Sequence, residues 1–316
     1  MAAVRSRVGI NLSVARSCFV RCDGCYNHFG RVNELVGTDV IVAFLDRARR
    51  AGVDKVTLCG GDPLARVDIL ALLEHIKVLG FVVNLDTVGT PLLGAASTVF
   101  YGRRSVRRVE AGALAGLVDL VGIPVDGASD TTVATFRAGR VDLLDEQLRI
   151  LEVLDEAGAR VCVNTVVHRQ NLAEVPSILP LICRYPCVVK WQLFQFSPTG
   201  PLGFHNRGAY LVGEEQFLTL DVQLRDEAVA QRWAGEIELK TNTRRKDTYL
   251  LVDSEGLAWR PYSADPTDQR VIVGDIKRPE EHQQILDAVP RLRRASTLPR
   301  QVQRPREDRR HVALDA

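Results

Sequence analysis

A repeated alternation of short apolar runs and amphipathic helical stretches constrains the fold of this chain more than any other feature. Runs typical of buried strands cover residues 8–14, 55–63, 81–89, 117–127, 159–167 and 188–196, and helical patterns cover residues 40–52, 69–80, 144–158 and 174–184. This alternation favours a parallel sheet with crossover helices. The sequence therefore predicts an α/β fold, a partial, open barrel of six β/α units. Ligands bind such sheets at the carboxyl ends of the strands.

The later part of the chain has a different pattern. Residues 238–259 resemble two strands that turn at Ser254-Glu255-Gly256. We therefore expect a barrel core over residues 1–200 and a short C-terminal α/β extension over residues 201–290 that covers the barrel mouth as a lid. The basic tail, residues 291–316, contains proline and few apolar residues, which predicts a disordered end rather than a polyanion-binding arm.

Composition excludes several classes of protein. The 316 residues are 46% hydrophobic and 25% charged, which is enough to bury a large core. The net charge of +2 gives no overall field that favours nucleic acid. No apolar run approaches the roughly 20 residues that a membrane span needs, and the N-terminus lacks the features of a signal peptide. We expect a cytoplasmic protein that binds neither nucleic acid nor membrane, in which cysteines stay as thiols.

Three cysteines lie close together directly after the first predicted strand. The stretch SCFVRCDGCYNHFG has the spacing C-x₃-C-x₂-C, formed by Cys18, Cys22 and Cys25. An odd number disfavours a purely disulfide explanation. Three thiolates suit an iron–sulfur cluster with one open iron, or a zinc ion with His28 as its fourth ligand, and a loop without metal is the third alternative. The turn GGDP follows the second strand, so both motifs lie on one rim of the sheet, which favours the cluster.

These two motifs together resemble the radical S-adenosylmethionine (SAM) superfamily, over roughly residues 8–200. The resemblance implies that the three cysteines hold a [4Fe–4S] cluster whose fourth iron binds SAM, and that a flavodoxin- or ferredoxin-type protein supplies the electron. It also implies that the methionyl amine lies at the GGDP turn. Many members carry an aromatic residue before the third cysteine, where this chain has Gly24, with Tyr26 after the cysteine. The expected SAM contacts around the two motifs are Tyr26, Gly60, Gly61 and Asp62.

The order and spacing of segments after Asp126 are similar to those of viperin-like nucleotide dehydratases. This resemblance implies that Arg140 pairs with the SAM carboxylate and that Asn164 lies near the ribose or adenine. It also implies that the basic run Arg244, Arg245 and Lys246 meets a triphosphate, although a solvated strand edge is the alternative.

Five further residues are candidates from the strand pattern and the chemistry. Trp191 and Gln192 alternate on the sixth strand, so one of them faces the barrel and contacts substrate, with a buried aromatic side chain as the alternative for Trp191. A hydrogen donor or proton shuttle is expected among Cys59, Asp126 and Tyr249, although a buried thiol or a turn cap would explain the first two equally well.

The expected function is that of a single-cluster radical SAM oxidoreductase or lyase. By resemblance, it cleaves SAM reductively to a 5′-deoxyadenosyl radical that abstracts hydrogen from a small sugar, nucleoside or nucleotide, in antibiotic biosynthesis. Dehydration, epimerisation, decarboxylation or carbon–carbon bond formation would follow. The forms GCYN and GGDPL are closer to the glycyl-radical-activating branch, so an activating or peptide-modifying enzyme is the alternative. A zinc-bound, non-enzymatic scaffold is the second alternative.

Overall fold

The computed structural model describes residues 8–26, 35–95, 106–245, 249–261 and 270–289. The expectations for His28, Lys246 and the tail from residue 291 lie outside these residues.

Most strands of the described residues join one sheet. In chain order the strands are β1 (Gly9–Ala15), β2 (Arg21–Cys22), β3 (Lys55–Gly60), β4 (Val82–Asp86), β5 (Leu120–Pro124), β6 (Arg137–Ala138), β7 (Val161–Val167), β8 (Val188–Gln195), β9 (Glu236–Lys240), β10 (Leu251–Val252), β11 (Leu257–Pro261) and β12 (Arg270–Asp275). The sheet order is β12-β11-β10-β1-β3-β4-β5-β7-β8-β9, and β2 and β6 form a separate antiparallel pair.

Twelve helices are found in the described residues, of which the longer ones between the parallel strands pack on the outer face of the sheet. They are α1 (Thr38–Arg50), α2 (Ile69–Val78), α3 (Thr90–Leu93), α4 (Ala111–Leu117), α5 (Asp130–Phe136), α6 (Leu143–Glu156), α7 (Leu179–Ile182), α8 (Gly200–His205), α9 (Arg207–Tyr210), α10 (Glu214–Ala230), α11 (Asn242–Arg245) and α12 (His282–Asp287). Short 3₁₀ turns cover Pro63–Ala65, Val175–Ile178 and Pro279–Glu281. Among the described residues, no helix combines the length and apolar composition that a membrane span requires.

The six predicted strands correspond to β1, β3, β4, β5, β7 and β8, which run parallel to their neighbours. The helical patterns at 40–52, 69–80 and 144–158 form α1, α2 and α6, whose apolar faces pack on the sheet. The pattern at 174–184 forms only a 3₁₀ turn and the four-residue α7. The predicted α/β partial barrel is confirmed.

The C-terminal segment differs from the prediction. Its first part, β9, is a seventh parallel strand beside β8, with Ile237 opposite Trp191. The hairpin is confined to β10 and β11, in which Leu251 lies opposite Trp259, and β10 also pairs with β1. The chain after residue 200 therefore adds strands to both edges of the sheet, and the predicted boundary at residue 200 does not divide that sheet.

The sheet curves around an internal cavity of about 780 Å³. Lys55 on β3 and Lys240 on β9 both line this cavity, although β4, β5, β7 and β8 lie between their strands in the sheet order. Alternate residues of each parallel strand face the cavity, and the others face the helices, as the pleat of a strand requires. The inner face mixes polar and charged side chains with apolar ones, whereas the helix-facing residues form the apolar core.

Candidate active site

The three cysteines of the loop after β1 line one end of the cavity together with the turn after β3. Backbone hydrogen bonds hold the loop in place. The N–H of Cys25 donates to the carbonyl of Cys22 over 3.2 Å, and β2 places Cys22 opposite Arg137 of β6. All seven cysteines are free thiols. The loop therefore presents three thiols to one shared space.

The donor set of this loop fits a [4Fe–4S] cluster. Burial, the Asp62 carboxylate and the neighbouring Cys22 raise the pKa of the Cys18 thiol well above its usual range. Burial likewise raises the pKa of Cys22. Deprotonation of these thiols therefore needs a compensating positive charge, which metal ions supply. Within the described ranges, no three potential ligands converge as they would on a single ion. A cluster has no such requirement, because each of its thiolates binds a different iron.

The packing around Gly24 explains why this chain has no aromatic residue directly before the third cysteine. A Cβ atom at Gly24 would lie 2.4 Å from the ring of Phe196 and 2.7 Å from that of Phe136. Both rings line the cavity. The aromatic surface beside the loop therefore comes from other elements of the fold, and it leaves no room for a side chain at position 24.

Gly60 and Gly61 line the cavity, and chain packing also requires glycine at both positions. Gly60 has φ +113°, and a Cβ there would lie 2.8 Å from the carbonyl oxygen of Ala15. A Cβ at Gly61 would lie 2.3 Å from the carbonyl oxygen of Ser17. The N–H groups of Gly61 and Asp62 donate to Ala15 and Ser17, each over 2.7 Å. The turn thus holds the chain that leads into Cys18.

Asp62 does not present its carboxylate to the cavity. The side chain is 1% exposed and accepts hydrogen bonds from Leu64 N, Thr87 Oγ1 and Val88 N, at 2.9, 2.7 and 2.7 Å. It therefore ties the turn after β3 to the end of β4. This geometry corrects the expectation of a side-chain contact between Asp62 and SAM.

The surroundings of Arg140 do not favour the expected pairing with the SAM carboxylate. Arg140 forms ion pairs with Glu146 and Asp142 and does not line the cavity. Arg137 does line it, and its guanidinium donates to Cys22 Sγ over 3.2 Å and to Asp126 over 2.5 Å. Arg137 rather than Arg140 lines the cavity because α5 ends at Phe136 and β6 directs Arg137 towards the cysteine loop.

Of the three expected hydrogen donors or proton shuttles, two line the cavity. Cys59 on β3 accepts a hydrogen bond from the Tyr26 hydroxyl over 3.5 Å, and burial raises the pKa of its thiol to about 11. Tyr249, before β10, also lines the cavity, as does Tyr26. Asp126 is 1% exposed behind Arg137 and accepts from Val166 N, so its carboxylate does not reach the cavity. A direct catalytic role for Asp126 is not compatible with this position.

The inner faces of β7 and β8 carry two of the predicted contacts. Asn164 lines the cavity and donates to Asp86 over 3.1 Å, and Gln192 lines it and donates to Glu238 over 2.8 Å. Trp191 faces the helices instead, where it is fully buried and donates from Nε1 to Thr165 Oγ1 over 2.8 Å. The substrate contact predicted for Trp191 is therefore wrong.

The two arginines of the predicted basic run both lie in α11 but face different surroundings. Arg245 lines the cavity and donates to Gln195 O and Asn242 Oδ1. Arg244 is exposed and does not line it. Sequence reasoning missed other charged residues of the cavity, namely Lys55, Asp86 and Arg137. For Lys55 and Asp86 a period of two along the strand was the available signal, since they alternate with buried apolar residues.

The family model of the radical SAM superfamily matches residues 12–182, which include the cysteine loop and the turn after β3. The chain belongs to the radical SAM superfamily. Enzymes of this superfamily use a [4Fe–4S] cluster and SAM, so the predicted cofactors are confirmed. Membership also favours a cluster over the zinc-bound scaffold.

Curated relatives match part of the chain. The AdoMet-dependent heme synthase of Oleidesulfovibrio alaskensis is 28% identical over 206 residues, which are 65% of this chain and 49% of that protein. The PqqA peptide cyclase of Rhodopseudomonas palustris is 31% identical over 176 residues, or 55% of this chain and 43% of that protein. The chain thus spans about half the length of the curated relatives that it matches.

Solved structures share the fold over most of the chain. SuiB of Streptococcus suis bound to precursor peptide SuiA has a TM-score of 0.65 at 12% identity, covering 90% of this chain and 64% of that one. Native anSMEcpe with bound AdoMet has a TM-score of 0.58 at 14% identity, covering 89% and 82%. These matches support the partial barrel and its extension by the later strands.

Proposed function

We propose that this chain is a radical SAM enzyme that modifies a peptide, rather than a sugar, nucleoside or nucleotide. The 31% identity to a PqqA peptide cyclase carries this proposal. The shared fold with SuiB, solved with a precursor peptide, is consistent with it. The expectation of a phosphorylated small molecule loses support because Arg244, one of the basic residues that the viperin-like resemblance assigned to a triphosphate, lies outside the cavity. The peptide-modifying alternative is therefore the better supported of the two.

In the proposed site, Cys18, Cys22 and Cys25 hold the cluster. A bound cluster and SAM would supply, with an electron from a flavodoxin- or ferredoxin-type donor, the radical chemistry for hydrogen abstraction from the substrate. The chain's own task is to hold one substrate C–H bond in reach and to exclude water. Phe136, Phe194 and Phe196 line the cavity and give it the apolar surface that this task needs.

Arg137 is the residue that we assign to the SAM carboxylate. It is the arginine of the cavity wall that touches the cysteine loop, and its Asp126 partner fixes the plane of the guanidinium. A planar guanidinium pairs well with a carboxylate. Asn164, on the inner face of β7, is assigned to the ribose or adenine because its amide faces the same cavity.

The cavity size suits one or two side chains rather than a folded domain. Its volume of about 780 Å³ lies within the range of small-ligand pockets. In the proposed complex, SAM occupies the end nearest the cysteine loop. The substrate side chain enters from the same rim, and Tyr249 and Gln192 face it from the barrel wall.

The test is SAM cleavage by the anaerobically reconstituted protein under reduction, with three panels of candidate substrates. The panels are mixed-sequence synthetic peptides, sugars with nucleotides, and porphyrins, the last because one relative is a heme synthase. We expect peptides to stimulate 5′-deoxyadenosine formation and to change in mass. Stimulation and product formation by a nucleotide, sugar or porphyrin alone would overturn the proposal.

A further inference from the structure

Lys55 is a cation that the fold places inside the cavity, where the Asp86 carboxylate attracts it without forming an ion pair. It begins β3, is half-buried and faces the cavity. Within the described part of the chain, its ammonium group makes no hydrogen bond or ion pair. Burying a charge without a partner costs free energy, so such a group inside a cavity is suited to an anionic ligand.

Lys240 approaches Lys55 from the opposite side of the curved sheet. Its ammonium lies 3.7 Å from Glu238 and 5.3 Å from the ring centre of Phe194. Burial, followed by the charge of Lys240, lowers the pKa of Lys55. The two positive charges therefore disfavour each other, Asp86 offsets part of this repulsion, and a further anion between the lysines would relieve the rest.

Lys190, on β8, is a lysine of this wall whose charge is neutralised by ion pairs. It pairs with Glu236 at 3.1 Å and Glu238 at 2.7 Å. Lys190 thus has two carboxylate partners, whereas Lys240 has one at long distance and Lys55 has none among the described residues. The capacity to bind an anion lies with Lys55 and Lys240.

The other charges of this wall favour a single carboxylate over a polyphosphate. Asp86 lines the same cavity, and burial raises the pKa of its carboxyl group. Glu236 and Glu238 pair with Lys190, so Asp86 is the cavity carboxylate that acts on Lys55 and Lys240. A triphosphate would add several negative charges beside these carboxylates, whereas one carboxylate adds a single charge where two lysines face the cavity.

We infer that Lys55 and Lys240 form a carboxylate-binding subsite for the substrate. The identity of the ligand as an Asp or Glu side chain rests on the proposed peptide-modifying function. The subsite fixes which peptide residues enter the barrel, because a side chain held at Lys55 sets the position of its neighbours relative to the cysteine loop.

The experiment compares two small probes on the anaerobically reconstituted, SAM-bound protein. The probes are N-acetyl-L-glutamate α-amide, which has a free side-chain carboxylate, and N-acetyl-L-glutamine amide, which is nearly isosteric and neutral. We expect the glutamate probe to bind about tenfold or more tightly, as one charge-assisted pair provides. Equal affinities, or no binding of either probe in titrations followed by ligand-observed NMR, would overturn the inference.

Variants of Lys55 and Lys240 test whether these two lysines cause the preference for the glutamate probe. Lys55→Met should abolish the preference for the glutamate probe, Lys240→Met should reduce it, and Lys55→Arg should retain most of it. Lys277→Met is the matched control, since Lys277 is exposed after β12. All variants should keep wild-type iron content and SAM affinity, which shows that the fold is intact. A preference that survives in Lys55→Met would contradict the assignment.

Peptide pools separate this inference from the proposed function. One pool contains Asp and Glu, and the matched pool contains Asn and Gln in their place. If neither pool is modified while the Lys55-dependent probe preference is present, the subsite stands and the peptide function fails. If both pools are modified equally by wild type and by Lys55→Met, the peptide function stands and the subsite fails.

Discussion

The guanidinium of Arg137 lies 3.2 Å from the sulfur of Cys22. The two residues are 115 positions apart in the sequence, and the short pairing of β2 with β6 brings them together. Asp126 holds the other side of the guanidinium through Nε. This relationship joins the middle of the barrel wall to the cysteine loop, and it places a fixed positive charge where an anionic cofactor group can meet it.

The first prediction concerns SAM affinity. Arg137→Ala should weaken SAM binding by about 1.5–3 kcal/mol, because one charge-assisted interaction is lost. Arg140→Ala is the control: this arginine pairs with Glu146 away from the cavity, so SAM affinity should be unchanged. Equilibrium dialysis of the reconstituted proteins measures both. Equal affinities for wild type and Arg137→Ala would remove this residue from the site.

The second prediction uses two adjacent residues of β8. Trp191→Ala should lower the free energy of unfolding by about 3–5 kcal/mol, because a fully buried aromatic side chain is deleted. Gln192→Ala should leave stability nearly unchanged, since this side chain faces the cavity, and should alter substrate-dependent SAM cleavage. Denaturant unfolding and 5′-deoxyadenosine assays distinguish the two. A Gln192→Ala loss as large as that of Trp191→Ala would contradict the assigned orientation.

The strands of the barrel could be predicted from the sequence because their outer faces are continuous with an apolar core. Val56 and Leu58 on β3, and Val161 and Val163 on β7, follow the expected period of two. The cysteine motif and the following turn were also predictable, because spacing and position after a strand are local features. These two signals were enough for the fold and the cofactors.

The position of β9 beside β8 could not be predicted, because its sequence, EIELK, is typical of an exposed hairpin strand. Lys240, its last residue, lines the cavity, and Leu239 is buried on the other face. Polarity alone does not distinguish a solvent-facing residue from a cavity-facing one. The same ambiguity concealed Lys55 and Asp86. Arg137 and Arg140 are only three residues apart, and the direction in which β6 leaves α5 decides between them.

The third prediction tests the turn after β3. Gly61→Ala should lower both iron content and the free energy of unfolding, the latter by about 1–3 kcal/mol, because its Cβ would overlap the carbonyl of Ser17 beside Cys18. Gly116→Ala is the control: no atom lies near its Cβ, and alanine in α4 should stabilise the protein by about 0.5–1 kcal/mol. Iron analysis and denaturant midpoints measure these effects. Wild-type iron content in Gly61→Ala would contradict the packing argument.

The fourth prediction is a pH dependence of stability. Burial lowers the pKa of His168 to about 4, from about 6.5 in an unfolded chain. Between these values only the unfolded state binds the proton, so stability should fall as the pH drops from about 6.5 to about 4, by roughly 2–3 kcal/mol. His168→Phe should flatten this part of the profile, and His75→Gln, at an exposed position, should not. Denaturant unfolding across this range measures the slopes, and equal slopes in all three proteins would contradict the assignment.

The fifth prediction defines the cluster ligands against other thiols of the same cavity. Wild type should bind about four irons per chain, and Cys18→Ala, Cys22→Ala and Cys25→Ala should each lose the cluster, because each thiolate binds its own iron.

Cys59→Ala and Cys162→Ala are the controls that make this test specific. Both thiols line the cavity, but they lie on β3 and β7 rather than on the loop. Because the three loop thiols supply the thiolates of the cluster, neither of these wall thiols is needed as an iron ligand. Iron and sulfide analysis with EPR of the reduced proteins should give wild-type values for these two variants. Full iron content in any loop variant, or its loss in Cys59→Ala, would show that the ligand set includes a thiol from the barrel wall.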